Sequence, residues 1–211
     1  MGREMSKVAE LNLQALSTEI SHCRLCDKEG LLVEHAPPLQ RGSGSALLVI
    51  GEQPGKTELA TAAAFSGPAG QRLISWLISS GLGQSREEIF QRAYFTSLCK
   101  CHIVHGDQLN SAIHNCYPFL IRQVDLLSPR IVCTLGREPL VHLLRYEGSL
   151  EDAIGRTWRE RDLGFLFPLF PRDCVIVPFP HPSPRSRWLN NPNNRKRLEA
   201  AIEQLRRELA C

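Results

Sequence analysis

Glu52 follows the apolar run Leu47-Leu48-Val49-Ile50 and lies inside the turn Gly51-Glu52-Gln53-Pro54-Gly55. An apolar run bounded by Gly and Pro reads as a buried parallel strand. Open α/β sheets bind ligands beyond the carboxyl ends of such strands, so a carboxylate there is placed for chemistry. His181 occupies a similar place, between Pro180 and Pro182 after the apolar Cys174-Val175-Ile176-Val177. The span Ser97 to Cys101 closes a third run, Ala93-Tyr94-Phe95-Thr96-Ser97-Leu98. The third chemistry is thiol ligation. Cys23-x-x-Cys26 sets two thiolates within reach of one metal centre, with Cys101 and Cys116 as candidate partners. Four such thiolates suit a [4Fe–4S] cluster or tetrahedral zinc, and residue type alone leaves both open. Cys99, Cys133 and Cys174 sit on or beside apolar strands and read as small buried hydrophobes.

The elements that must carry these residues are legible in outline. The strands are 46–50, 93–98, 130–135 and 174–177, each followed by a turn and a helical pattern. An amphipathic helix over 6–20, with Val8, Leu11, Leu16 and Ile20 at helical spacing, delivers the chain to Cys23. Pro68 opens a helix that Gly81 closes, and Ser85 with Glu88 forms a capping box. Asp107 or Asn110 caps a helix over the segment to Leu127, and Asn193 caps the last one, through Leu209. Thr157-Trp158 and Phe165-Leu166-Phe167 read as short edge strands. The expected fold is α/β: a three-layer α/β/α domain, residues 1–211, around a central four-stranded, mainly parallel sheet.

The 211 residues and 43% hydrophobic content are enough to bury a full core, and no apolar stretch approaches the roughly 18 residues of a membrane span. A formal charge of +3 is mild, so only a local basic patch would announce nucleic acid. The N-terminal segment lacks an apolar signal core, and the expectation is a cytoplasmic protein in which clustered cysteines ligate metal rather than form disulfides.

Five motifs in order resemble the iron–sulfur, family-four branch of the uracil-DNA glycosylase superfamily. They are Gly51-Glu52-Gln53-Pro54-Gly55, Phe65-Ser66-Gly67-Pro68-Ala69-Gly70, Lys100-Cys101, Cys116 and His181-Pro182-Ser183. The resemblance runs from about Leu11 to Leu209. It implies a [4Fe–4S] cluster on Cys23, Cys26, Cys101 and Cys116, and hydrolysis of the bond between a damaged base and deoxyribose. It places Glu52 at the acid that orients or activates water, and Gln53 where the backbone touches the base. It places Phe65 at the stacking aromatic and His181 at the histidine that hydrogen-bonds the base O2. Ser183, Pro184 and Arg185 fall in the loop that enters the minor groove, and Arg187 follows in a basic, amide-rich stretch suited to phosphate. The implied partner is DNA carrying a deaminated base, met by a monomer in the cytoplasm at the nucleoid.

The chain departs from that pattern at Ser97, where relatives carry an asparagine whose amide reads uracil in one bidentate contact. Serine is shorter and cannot form that fork, so the expected substrate is uracil or a related deaminated base. The histidine-bearing insertion of a covalently trapping branch is absent from the short loop Cys101–Asp107, although His102 and His105 lie there. Two other readings stand beside the enzyme: a non-catalytic relative that binds lesions or abasic sites, and a zinc-stapled α/β domain.

Overall fold

The computed structural model describes residues 6–31, 33–35, 42–159 and 169–211. The chain runs α1 (Lys7–His22), α2 (Leu25–Lys28), β1 (Val33–Glu34), β2 (Leu47–Gly51), α3 (Lys56–Thr61), α4 (Pro68–Ser79) and α5 (Arg86–Arg92). It continues through β3 (Ala93–Ser97), β4 (His102–Ile103), α6 (Leu109–Leu127), β5 (Ile131–Leu135), α7 (Arg137–Leu144), α8 (Leu150–Ala153), β6 (Val175–Phe179) and α9 (Pro192–Ala210).

The four apolar runs form one parallel sheet in the order β3-β2-β5-β6. Each strand is short, mostly apolar and almost wholly buried because both sheet faces are covered. Leu48 and Ile50 of β2 pack with residues of α1, α6 and α7 on one face. Leu47 and Val49 pack with α4, α5 and α9 on the other. The result is the expected three-layer α/β/α arrangement. Pro178 lacks a ladder donor and is tolerated because β6 is at the sheet edge.

Local signals hold where they depend on neighbours in sequence. Pro68 occupies the first turn of α4, Gly81 takes φ +82° just beyond its end, and the Ser85 hydroxyl accepts the Glu88 N–H. They fail where tertiary packing decides. On α1 the buried residues are Leu13, Leu16 and Ile20, whereas Val8 and Leu11 remain 67% and 58% exposed. The helix leans on α6, and that contact selects a stripe the spacing alone did not. The N-cap of α9 is Asn191, not Asn193, because Pro192 takes the first helical position and the Asn191 side chain accepts the Asn193 N–H. A 3₁₀ turn at Gly106–Gln108 precedes α6, so Gln108 rather than Asp107 or Asn110 stands at its start. Trp158 makes a single antiparallel bridge to Ile176, and Phe165-Leu166-Phe167 lie outside the described residues. The small antiparallel pair β1·β4 was not expected; it joins the segment after α2 to the loop after β3.

Candidate functional site

The ends of β2, β3 and β5, with the loop after β6, surround a cavity of about 670 Å³. Glu52, Gln53, Phe65, Ser97, His181, Ser183, Pro184 and Arg185 all line it, although they come from segments up to 133 residues apart (185 minus 52). Arg187 does not line it; it is exposed at the start of the 3₁₀ turn Trp188–Asn190.

Glu52 leaves the sheet directly after Gly51, whose register partner on β3 is Ser97. Partial burial pushes its carboxyl above the usual carboxylate range, the Glu138 charge on α7 adds to that, and a hydrogen bond from Gln53 opposes it. Gln53 bridges two segments: its Nε2 donates to Glu52 Oε1 at 3.3 Å and its Oε1 accepts the Ile103 N–H at 2.7 Å. His102 donates from Nδ1 to Pro54 O at 2.9 Å, a direction required because a carbonyl only accepts.

Phe65 holds a positive φ of 52°, unusual for a bulky residue and a form of strain that clusters at functional sites. Arg86 Nη2 donates to Phe65 O at 2.8 Å and fixes that backbone. Gly70 completes the cradle, since a Cβ there would lie 1.8 Å from Phe65 O. The ring packs at 5.3 Å from Phe95 and still borders the cavity, so Phe65 is at once a core aromatic and a wall.

His181 rests on Gly136, at φ +82°, where a Cβ would come within 3.3 Å of the histidine Cβ. Its Nδ1 accepts the Ser183 N–H at 3.1 Å. The neutral ring therefore carries its proton on Nε2, as a donor. Surrounding protein lowers its pKa from the ordinary value even though part of the ring surface is open at the cavity. The loop is braced by Arg72 Nη1 to Ser183 O at 3.3 Å and by the Arg185 N–H to Ser183 Oγ at 3.2 Å. Of the basic run after it, Arg195 and Arg197 donate to Leu189 O and Glu151 O and so serve the fold.

Sequence reasoning passed over Lys100 except as part of a motif. It is 5% exposed, borders the cavity, and donates from Nζ to Thr96 Oγ1 and Ser97 O at 2.8 and 2.5 Å. Burial pulls its ammonium down to about 8, against the opposing influence of Cys116 and Cys99. A lone apolar-flanked lysine carries no sequence signal of inward orientation.

Cys26 and Cys116 are buried, while Cys23 and Cys101 are partly so. Cys23 and Cys116 both raise the Cys26 pKa, behind the larger effect of burial, which places the three in one electrostatic neighbourhood. Sulfur acceptors are supplied with donors: Asn115 Nδ2 to Cys26 Sγ at 3.7 Å, and the Lys100 N–H to Cys116 Sγ at 3.4 Å. Cys99 hydrogen-bonds Cys116, which favours the Cys116 thiolate. Cys99 is itself fully buried in the core, as its apolar strand suggested. Cys101 Sγ lies 3.4 Å from His35 Nδ1. Among the described residues no preformed group of three or more His, Cys, Asp or Glu side chains is gathered tightly enough to hold a metal ion. By residue type the four thiols can ligate either iron or zinc, and two of the sulfurs, those of Cys26 and Cys116, accept from N–H donors.

The family model described as the uracil DNA glycosylase superfamily matches residues 40–206. A Type-4 uracil-DNA glycosylase of Saccharolobus solfataricus is 30% identical over 200 residues, covering 94% of this chain and 87% of that protein. A Type-4 uracil-DNA glycosylase of Sulfurisphaera tokodaii is 28% identical over 200 residues, covering 94% and 85%.

Proposed function

Because the chain belongs to the uracil DNA glycosylase superfamily, we propose that it hydrolyses the N-glycosidic bond of uracil, or a related deaminated base, in DNA and leaves an abasic site. The observation that carries this reading is the convergence of Glu52, Phe65, Ser97 and His181 on one cavity large enough for a base.

The reacting carbon is inaccessible in the duplex, so the nucleotide must leave the stack at a cost of a few kcal/mol. Phe65 returns part of that cost by stacking, worth roughly 1–3 kcal/mol per base. Gln53 presents its backbone to the base edge. As the glycosidic bond breaks, its electron pair goes to the base and positive charge develops at C1′. The His181 Nε2–H donates to the base O2 that takes up negative charge. The Glu52 carboxylate stabilises the sugar cation and orients the water whose oxygen bonds to C1′, the water shedding one proton to solvent as the base leaves as an anion. Ser183, Pro184 and Arg185 enter the minor groove, with the Arg185 plane filling the gap left by the extruded base, and Arg187 contacts phosphate.

Cys23, Cys26, Cys101 and Cys116 hold a [4Fe–4S] cluster in this reading. When bound, it supplies iron–thiolate bonds that staple α1 and α2 to the loop after β3 and to α6. Cys101→Ser is expected to strip iron and lower the melting temperature, whereas Cys174→Ser keeps iron content. Iron and sulfide analysis beside thermal melting reads the difference; iron retained in the Cys101 variant sinks the ligand set. The reading places the protein on cytoplasmic DNA as a monomer, and no helix among the described residues is long and apolar enough to cross a membrane.

Excision assays on oligonucleotides containing uracil, hypoxanthine and xanthine test the activity. Release of none of them by folded, iron-loaded protein refutes the enzyme and leaves a lesion-binding relative. A further expectation concerns the Phe65 cradle. Gly70→Ala forces the backbone at Phe65 to move, and overpacking of this kind costs about 1–3 kcal/mol. Melting should register that loss, and binding of uracil-containing DNA should weaken because the stacking wall is displaced.

A further inference from the structure

Ser97 removes the amide fork from the cavity wall, and its own hydroxyl is committed, donating to Cys99 O at 2.6 Å. That bond tightens the turn after β3. The turn brings Lys100 back beneath the end of the same strand, where its side chain borders the cavity. The position of Nζ is fixed by a relay. Lys100 Nζ donates to Thr96 Oγ1, the Thr96 hydroxyl donates to Gln123 Oε1 at 2.9 Å, and Gln123 belongs to α6. Nζ also donates to Ser97 O. Among the described residues no carboxylate pairs with Lys100. An ammonium carries three donors, so one remains for a ligand in the cavity.

We propose that Lys100 is the specificity-determining residue that reads the carbonyl of the extruded base on the side away from His181. This deepens the glycosylase reading and rests on it for the identity of the cavity's occupant. β3 and β6 are the opposite edges of the sheet order β3-β2-β5-β6. Three interstrand steps of about 4.8 Å put them roughly 14 Å apart. Lys100, just past β3, and His181, just past β6, therefore approach the cavity from opposite sides. The two carbonyls of uracil flank N3, so one donor can meet O2 and the other O4.

The reader's chemistry sets the substrate class. An amide fork offers a donor and an acceptor and recognises O4 together with N3–H. A lysine has no acceptor, so it reads only a carbonyl. Hydrolytic deamination always turns an exocyclic amine into a carbonyl: cytosine to uracil, adenine to hypoxanthine, guanine to xanthine. A donor-only reader accepts the carbonyl and opposes the amine, whose N–H would face its own N–H. Lys100 thus sorts uracil from cytosine and hypoxanthine from adenine; guanine already carries a carbonyl at the matching position, so xanthine gains nothing from this contact. Thymine shares O4 with uracil and differs at its C5 methyl, which Lys100 does not contact in this arrangement.

The test is equilibrium binding at one fixed salt concentration. The probes are single-stranded oligonucleotides whose 2′-fluoroarabino sugar keeps the glycosidic bond intact, carrying uracil, cytosine or pyrimidin-2-one, the ring without O4. Wild-type protein is expected to hold uracil about ten-fold tighter than pyrimidin-2-one, the scale of one good base-edge contact. Lys100→Met should remove that preference and leave pyrimidin-2-one binding within about two-fold. Equal weakening on both probes means a merely structural lysine and overturns the proposal, as does a preference that survives. Should the Met variant fail to fold, Lys100→Gln decides: its amide offers an acceptor and must narrow the preference for uracil over cytosine, and an unchanged ratio overturns the proposal. A wild-type protein that shows the preference yet releases no base keeps the Lys100 assignment and refutes the glycosylase reading. One that excises uracil without any preference does the reverse.

Discussion

Glu52→Gln lowers turnover on uracil-containing DNA on the order of 1000-fold, and at the same time raises thermal stability. The two effects share one cause. Burial and the Glu138 charge make the ionised Glu52 uncomfortable in the folded chain, so its pKa is raised. A carboxyl with a raised folded pKa binds its proton more tightly folded than unfolded. Its contribution to stability is therefore present at low pH and lost as pH rises from the unfolded value through the folded one. At neutral pH the carboxylate is a net cost to the fold, and in the proposed mechanism the neutral amide cannot take over its stabilisation of the sugar cation. Glutamine keeps the shape and removes the charge. Single-turnover excision and thermal melting on one preparation check the pair. Loss of activity with a lowered melting temperature would mean that Glu52 is structural. The acid limb of the pH–rate profile should also follow the raised pKa of Glu52 and disappear from the residual rate of the Gln variant.

His181→Ala lowers turnover by about 100-fold or more, the usual consequence of deleting one preorganised donor to developing negative charge. The donor is preorganised by three features that lie far apart in sequence. Gly136 leaves room for the ring, the Ser183 N–H occupies Nδ1, and the surrounding protein keeps the ring neutral by lowering its pKa. The loss should appear in the rate of bond cleavage more than in DNA affinity, because the proposed bond to O2 strengthens as the base departs. A folded His181→Ala protein that cleaves at the wild-type rate removes His181 from the mechanism. Linkage also has a defined sign here. A histidine whose folded pKa is depressed costs stability as pH falls through its unfolded value, near about 6.5. The Ala variant should therefore lose less stability than wild type between neutral pH and mild acid.

Much of this was legible in one dimension. The four strands announce themselves because each must be apolar on both faces, and Glu52, Ser97 and His181 are placed at strand ends by the points at which those runs stop. Pro68, Gly81 and Ser85 mark helix ends because capping uses residues within a few positions of one another. Spacing and resemblance pick out Cys23, Cys26, Cys101 and Cys116 as the proposed ligands, but the bond from Cys99 to Cys116 has no signal in the sequence. Cys99 reads as an ordinary apolar-strand cysteine until α6 is packed beside it.

The amino-acid sequence by itself determined the layered α/β class, the strand-end acid, and the serine that stands where the base-reading amide is expected. Those depend on local composition, on period and on residue identity. Only the tertiary structure decided which strands are neighbours, which stripe of α1 is buried, and that Phe65 is cradled by Gly70 and Arg86. It alone turned Lys100 inward. A lysine's direction is set by where buried acceptors lie, and here they are the Thr96 hydroxyl and the Ser97 carbonyl, with Gln123 on a helix from another part of the chain holding the first in place.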